Sequence, residues 1–139
     1  MTVKNVKFKR LRDAHTRETA EDYVEMIQEL VTEQGEARLT DLAHRFGVTS
    51  VTVHKILARL QRENLIQSQP YRAIFLTDKG KKMALQSRKR HEIVYQFLRS
   101  LGVSEKIAHI DAEGIEHHVS SETLRLFEKF TPHSTKKKP

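Results

Sequence analysis

The feature that most restricts this chain is a pair of helical patterns hinged on one glycine. Val53, Ile56, Leu57 and Leu60 recur at the spacing that lines one face of an α-helix. Thr49 stands before them as an N-cap, because its hydroxyl can accept from a backbone N–H that the first turn leaves unpaired. Upstream, Thr40 is placed to cap a shorter helix through Asp41, Leu42, Ala43, His44, Arg45 and Phe46, with small Ala43 where two helices approach and Gly47 as the turn. This is a helix-turn-helix pattern. Its second helix turns Val51, Thr52, Lys55, Arg59 and Arg62 outward, with Ser50 and His54 at the flanks. Such a helix reads base edges with its first turns and grips phosphate with Lys and Arg. Hydroxyls at Thr49, Ser50 and Thr52 suit either task, and Val51 can pack on a thymine methyl. The competing reading is an amphipathic helix pair without functional meaning.

The pattern continues into a wing. Leu65 to Ser68 and Ile74 to Leu76 read as two strands flanking Gln69, Pro70, Tyr71, Arg72 and Ala73, which sets Arg72 near a hairpin tip to meet phosphate or the minor groove. Thr77 then caps a long helix from Asp78 that carries six bases before continuing into Ile93, Val94, Phe97, Leu98 and Leu101. Gly102 ends it, and Ser104 caps a fifth helix in which Ile107, Ala108, Asp111, Ile115 and Val119 share one side. Ser120 caps a last helix offering Leu124, Phe127 and Phe130 for packing, and with the preceding helices these predict a dimerisation surface.

Charge adds to this. The chain has 139 residues and a net charge of +7, which suggests a polyanionic partner such as nucleic acid. The total conceals blocks: residues 1–17 carry +5, 18–37 carry −7, 38–90 carry +9, 91–135 carry −3, and Lys136 to Lys138 add +3. With no cysteine, disulfides, thiolate zinc sites and cysteine nucleophiles are excluded, so any metal is held by His and carboxylates. No apolar run is long enough to cross a bilayer, and the lysine-rich start lacks the apolar core of a signal peptide, so the expectation is a soluble cytoplasmic protein without a membrane partner.

Two acidic segments raise the question of a metal. In the first helix Ala20, Tyr23, Val24, Ile27, Leu30 and Val31 form the apolar face, and Glu18, Asp22, Glu25 and Glu29 cluster opposite without a base among them. An ordinary solvated face is one reading, but like charges one turn apart repel, which invites a cation. In the fifth helix Glu113, Glu116 and His117 stand at i, i+3 and i+4, a spacing that lets one divalent ion touch all three. His91, at the edge of the fourth helix's apolar stripe, is placed to complete the shell. His109 reads as a surface histidine and His118 as a structural one nearer the core.

The element order and the segments AEDYVE (20–25), RHE (90–92) and DAEGIEHHVS (111–120) resemble the manganese transport regulators of the diphtheria toxin repressor family, over about Thr16 to Phe130. The resemblance implies metal ligands at Asp22, Glu25, His91, Glu113, Glu116 and His117, and two neighbouring Mn(II) ions shared by Glu25 and Glu116. Iron-responsive members carry Met and Cys at the positions of Asp22 and Glu113. Hard oxygen donors there favour Mn(II), with Fe(II), Zn(II) or Cd(II) as substitutes. Ala73 departs from the glycine common at that wing position.

The resulting expectation is a mostly α protein: a basic arm over 1–15, a winged helix-turn-helix over 16–86, an all-helical metal-binding and dimerisation domain over 87–131 with no SH3-like domain, and a disordered basic tail over 132–139. It would be a homodimer binding double-stranded operator DNA through Thr49, Ser50, Val51, Thr52, His54, Lys55, Arg59 and Arg72, with Mn(II) as effector, chiefly repressing manganese uptake genes. Two alternatives are an iron- or other-metal-dependent repressor of the same family and a metal-independent winged-helix regulator answering an organic ligand. A metallohydrolase is disfavoured: the inverse zincin motif His-x-x-Glu-His needs His where residue 113 is Glu, and no substrate pocket for a small molecule is evident.

Overall fold

No proline or glycine interrupts the chain before Gly35, and the computed structural model carries one helix, α1, from Val3 to Gln34. Residues 2–132 are described, the side chains of 3–5 excepted. The basic arm expected over 1–15 is therefore helical from Val3. Its charge marks a change of composition, but nothing in it stops a helix, and the Thr16 and Thr19 hydroxyls bond back to the carbonyls of Arg12 and His15 within the same coil. The rest follows as α2 (Leu39–Phe46), α3 (Ser50–Arg62), β1 (Ile66–Gln67), β2 (Phe75–Leu76), α4 (Asp78–Ser100), α5 (Glu105–Ile115) and α6 (Ser121–Phe130). The chain divides into two units between Leu85 and Gln86, inside α4. The tail expected beyond residue 132 lies outside the described residues.

In the first unit the apolar face of α1 does what its periodicity predicts. Ala20, Tyr23, Val24, Ile27 and Leu30 are buried together with Leu42 of α2, Val53, Leu57 and Leu60 of α3, and Leu65, Ile66 and Ile74 of the wing. Tyr23 stacks on Phe46 with ring centroids 4.4 Å apart, and burial, with the adjacent Asp22 charge, pushes the Tyr23 phenol up. Gly47 turns the chain between α2 and α3 at φ 65°, a left-handed conformation that glycine takes without cost. Thr49 caps α3 as expected, its Oγ1 accepting from the Thr52 N–H at 3.1 Å. α2 begins earlier than Thr40 suggests: Arg38 is the N-cap, and its backbone N–H donates to Asp41 Oδ2 at 2.9 Å. Here the carboxylate at the third helical position supplies the cap, the reciprocal half of a capping box.

The wing is a short antiparallel pair, Ile66 opposite Leu76 and Gln67 opposite Phe75. Ile74 also bridges to Ala37, its N–H donating to the Ala37 carbonyl at 2.7 Å. That one-residue third strand leaves no periodic trace in the sequence. Left-handed backbone falls at Asn64 and Tyr71, not at Ala73, so alanine at 73 meets no conformational obstacle. The Thr77 hydroxyl accepts from the Gly80 N–H at 3.1 Å and donates to the Asn64 carbonyl at 2.7 Å, capping α4 and fastening it to the start of the wing.

The second unit has a thinner interior. Val94 of α4 and Ala108 and Ala112 of α5 are fully buried, and Phe97 stacks on Phe127 of α6 at 4.3 Å. α5 therefore packs through its two alanines, which permit close approach, while Ile107 and Ile110 are exposed. The helix also ends at Ile115, short of Val119. Of the expected face Ala108 is buried as read, whereas Ile107 and Asp111 are exposed and Val119 lies beyond the helix; Ala112 takes the inner position instead. Ser104 and Ser120 cap α5 and α6 as read.

Candidate metal ligands and nucleic-acid interface

On α1, Glu18, Asp22 and Glu25 are half-buried and Glu29 is exposed. The stripe is not without a base. Arg45 of α2 lies 3.9 Å from Glu29 and 2.6 Å from Glu33, a pairing between helices that a count along α1 alone misses. The hydrogen bond to Glu33, and then its charge, raise the Arg45 guanidinium further above its usual range. Glu21, beside the stripe, is buried, with Arg17 at 3.8 Å. Asp22 and Glu25 lie half-buried on the same acidic face, one turn apart on α1.

In the second unit α4 and α5 bring the other candidates into two contacts. His91 Nδ1 lies 2.9 Å from Glu113 Oε1, yet this buried nitrogen has no hydrogen bond of acceptable geometry. Its Nε2 lies 3.2 Å from Nδ1 of His109, whose ring stacks on Tyr95 at 4.0 Å. His109 is at the surface, as read from the sequence, but it is engaged there with a candidate ligand. Glu116 and His117 follow the last residue of α5, and Glu116 keeps right-handed helical backbone, so the spacing from Glu113 survives the end of the helix. Both are buried, whereas the Glu113 side chain is 60% exposed. The Glu116 carboxylate accepts from Ser87 Oγ and from Arg90 Nε, each at 3.1 Å, and its Oε1 stands 3.1 Å from His117 Nε2. Sequence reasoning did not name Ser87, and it met Arg90 only as a base of the long helix and the first residue of the RHE segment. His118, expected nearer the core, is exposed, because the helix has already ended and the chain turns there.

All six candidates are carboxylates or imidazoles, donors suited to hard and borderline divalent cations. An imidazole nitrogen and a carboxylate oxygen facing each other without a satisfactory hydrogen bond are arranged as a cation would use them.

The face of α3 is mostly as predicted. Thr49, Ser50, Val51, Thr52, His54 and Lys55 are exposed, Val51 at 65%. Arg59 departs from it: its Nη2 donates to the Thr16 carbonyl at 2.9 Å and its Nε lies 3.7 Å from Glu63. The guanidinium is long enough to fold back over the helix onto α1. Arg72 is exposed in the wing as expected. Beside it, overlooked in the sequence, Tyr71 is 99% exposed at φ 60°. Its signal was available: a lone aromatic residue between Pro70 and Arg72 in a turn that carries no other large apolar side chain.

Among the described residues no helix is long and apolar enough to cross a membrane. Residues 15–74 match the family model described as the iron dependent repressor N-terminal DNA binding domain, and 77–138 match the iron dependent repressor metal binding and dimerisation domain. The chain is 54% identical over 124 residues to the transcriptional regulator MntR of Escherichia coli O6:H1, covering 89% of this chain and 80% of the relative. It is 41% identical over 105 residues to the HTH-type transcriptional regulator MntR of Bacillus subtilis strain 168, covering 76% and 74%. A solved manganese-dependent transcriptional repressor in complex with manganese superposes with a TM-score of 0.69 at 30% identity, over 79% of this chain. The chain spans about half, 51%, of that solved chain.

Proposed function

The chain belongs to the family of MntR transcriptional regulators and iron-dependent repressors, and from that membership we propose a manganese-responsive, DNA-binding repressor and not an enzyme. The observation that carries the metal half of this reading is the His91–Glu113 contact, in which a buried ring nitrogen faces a carboxylate oxygen at 2.9 Å with no hydrogen bond to satisfy it. Asp22 and Glu25 of the first unit and His91, Glu113, Glu116 and His117 of the second are the proposed ligands. Mn(II) bound there would supply a divalent positive charge shared among these carboxylates and imidazoles. The remaining work is done by the chain. Ser87 and Arg90 hold the Glu116 carboxylate in one orientation, so a donor buried in the second unit is preorganised before any ion arrives.

α3 is the proposed major-groove reader, with Thr49, Ser50, Val51, Thr52, His54 and Lys55 toward the bases and phosphates and Arg72 of the wing beside them. Lys55, exposed, is the phosphate grip on α3. Donors drawn from both units link metal loading to DNA binding, and by reciprocity operator DNA tightens metal binding by the factor that metal tightens DNA binding. Exposed Leu101, Ile107, Ile110, Leu126 and Phe130 support a homodimer formed through the second unit. Repression of manganese uptake genes in the cytoplasm, with two ions per protomer, completes the reading.

The test is a titration of a duplex selected from random sequence, followed by fluorescence anisotropy with and without Mn(II), Fe(II) and Zn(II). We expect Mn(II) to tighten binding by about tenfold or more, and Glu116→Gln to abolish that gain. Equal affinity with and without every metal overturns the metalloregulator reading.

A further inference from the structure

We propose that Tyr71 enters the DNA minor groove beside the site read by α3, making the wing tip a sequence-sensitive contact and not only a phosphate grip. The proposal rests on the DNA-binding reading above and adds a residue and a groove to it. Tyr71 leaves 99% of its surface in solvent, more than any other exposed large hydrophobic residue of the described chain. A ring that buries nothing contributes nothing to folding through apolar burial.

Its backbone, however, is held. Tyr71 lies at φ 60°, a left-handed conformation that bulky side chains rarely adopt. Two bonds secure it: the Arg72 N–H donates to the Gln69 carbonyl at 3.1 Å, and Arg38 Nη1 donates to the Tyr71 carbonyl at 3.1 Å. Arg38 is itself fixed by Glu36, with Nε 2.9 Å from Oε1. The wing tip is thus clamped at its carbonyl to the start of α2, while its ring points to solvent. An anchored loop that presents an aromatic ring is organised for a partner outside the chain.

The surroundings identify the partner. Between α3 and the wing lies a cavity of about 580 Å³, lined by Arg38, His54, Tyr71 and Arg72 among others. His54 stands on the reading face of α3, and Arg72 follows Tyr71 directly. Arg38 and Arg72 supply cations to this open groove and His54 and Gln61 of α3 supply hydrogen-bonding groups, a lining that fits a sugar-phosphate strand. With α3 in the major groove on one side of that strand, an aromatic ring on the other side meets the minor groove, where amphipathic and apolar side chains wedge against sugars and base steps.

The experiment uses the full chain with Mn(II) and the selected operator duplex. Tyr71→Gly removes the ring at a backbone angle glycine accepts, and Tyr71→Asn, also tolerant of left-handed backbone, repeats the test should the glycine variant fold poorly by circular dichroism. We expect about a tenfold loss of operator affinity in either variant. Hydroxyl-radical protection should disappear at one minor-groove flank, while major-groove protection of guanine N7 from methylation persists. Tyr71→Phe should retain both footprints, and Arg38→Gln should weaken the flank protection. Affinity within twofold of wild type, with unchanged hydroxyl-radical footprints, overturns the proposal. Failure of the wild-type chain to bind any selected duplex would instead sink the DNA-binding premise, and the proposal with it.

Discussion

Lys55 and Arg59 stand one helical turn apart on α3, and the fold uses only the second. Lys55 is exposed, whereas Arg59 donates to the Thr16 carbonyl and pairs with Glu63. The two alanine substitutions should therefore separate. Lys55→Ala should leave the thermal midpoint unchanged, weaken DNA binding across all sequences, and lower the salt slope of the binding constant by about one. Arg59→Ala should cost roughly 1 kcal/mol of stability in urea denaturation, because a half-buried guanidinium loses a hydrogen bond that joins α3 to α1. Equal effects on stability would show that the Thr16 contact contributes nothing in solution. At this scale the sequence revealed which residue types belong on the reading face. It could not reveal that one long cation is taken up by a backbone carbonyl 43 positions away.

At the scale of elements, Gly80 lets the first turn of α4 lie directly against the backbone that enters the wing. A Cβ at residue 80 would stand 2.1 Å from the Leu65 carbonyl oxygen, a backbone atom that cannot rotate away. In most helices Gly→Ala stabilises by up to about 1 kcal/mol; Gly80→Ala should instead destabilise by about 2 kcal/mol or more, read as a fall in the denaturation midpoint. Elements of this kind also show how far sequence reasoning reaches. Helices with hydroxyl caps and a strong apolar stripe were legible almost to the residue, as Thr49 with α3 and Ser120 with α6 demonstrate. The start of α1 was not, because a cluster of bases looks like an arm but contains no helix breaker. The inner face of α5 was only partly legible: Ala108 is buried as read, but close packing places Ala112 beside it and leaves Ile107 in solvent. Of the proposed ligands, the ones on and after α5 follow from spacing. The support around them comes from α4, where Ser87 has no local signature and Arg90 is legible only as the first residue of the RHE segment.

At the scale of the whole molecule, a chain of 16.2 kDa whose second unit exposes Leu101, Ile110 and Phe130 at 65%, 58% and 66% leaves much apolar surface for a second copy. Ile110→Glu should yield a monomer by sedimentation while helix content stays constant, and operator affinity should fall because one half-site contact is lost. A dimer that persists in this variant would move the interface elsewhere. The cap of α3 bears on how such a regulator can diverge. Thr49 spends its hydroxyl on the Thr52 N–H, and the two hydroxyls lie 3.0 Å apart. Ser50, Val51 and His54 are exposed on the same reading face. New operator preferences are thus open to mutation at Ser50, Val51 and His54 with little disturbance of α3, and closed at Thr49, where a change of DNA contact also loosens the helix. Lineages descending from such a chain can exchange their target sequences one side chain at a time while the helix that carries them stays in place.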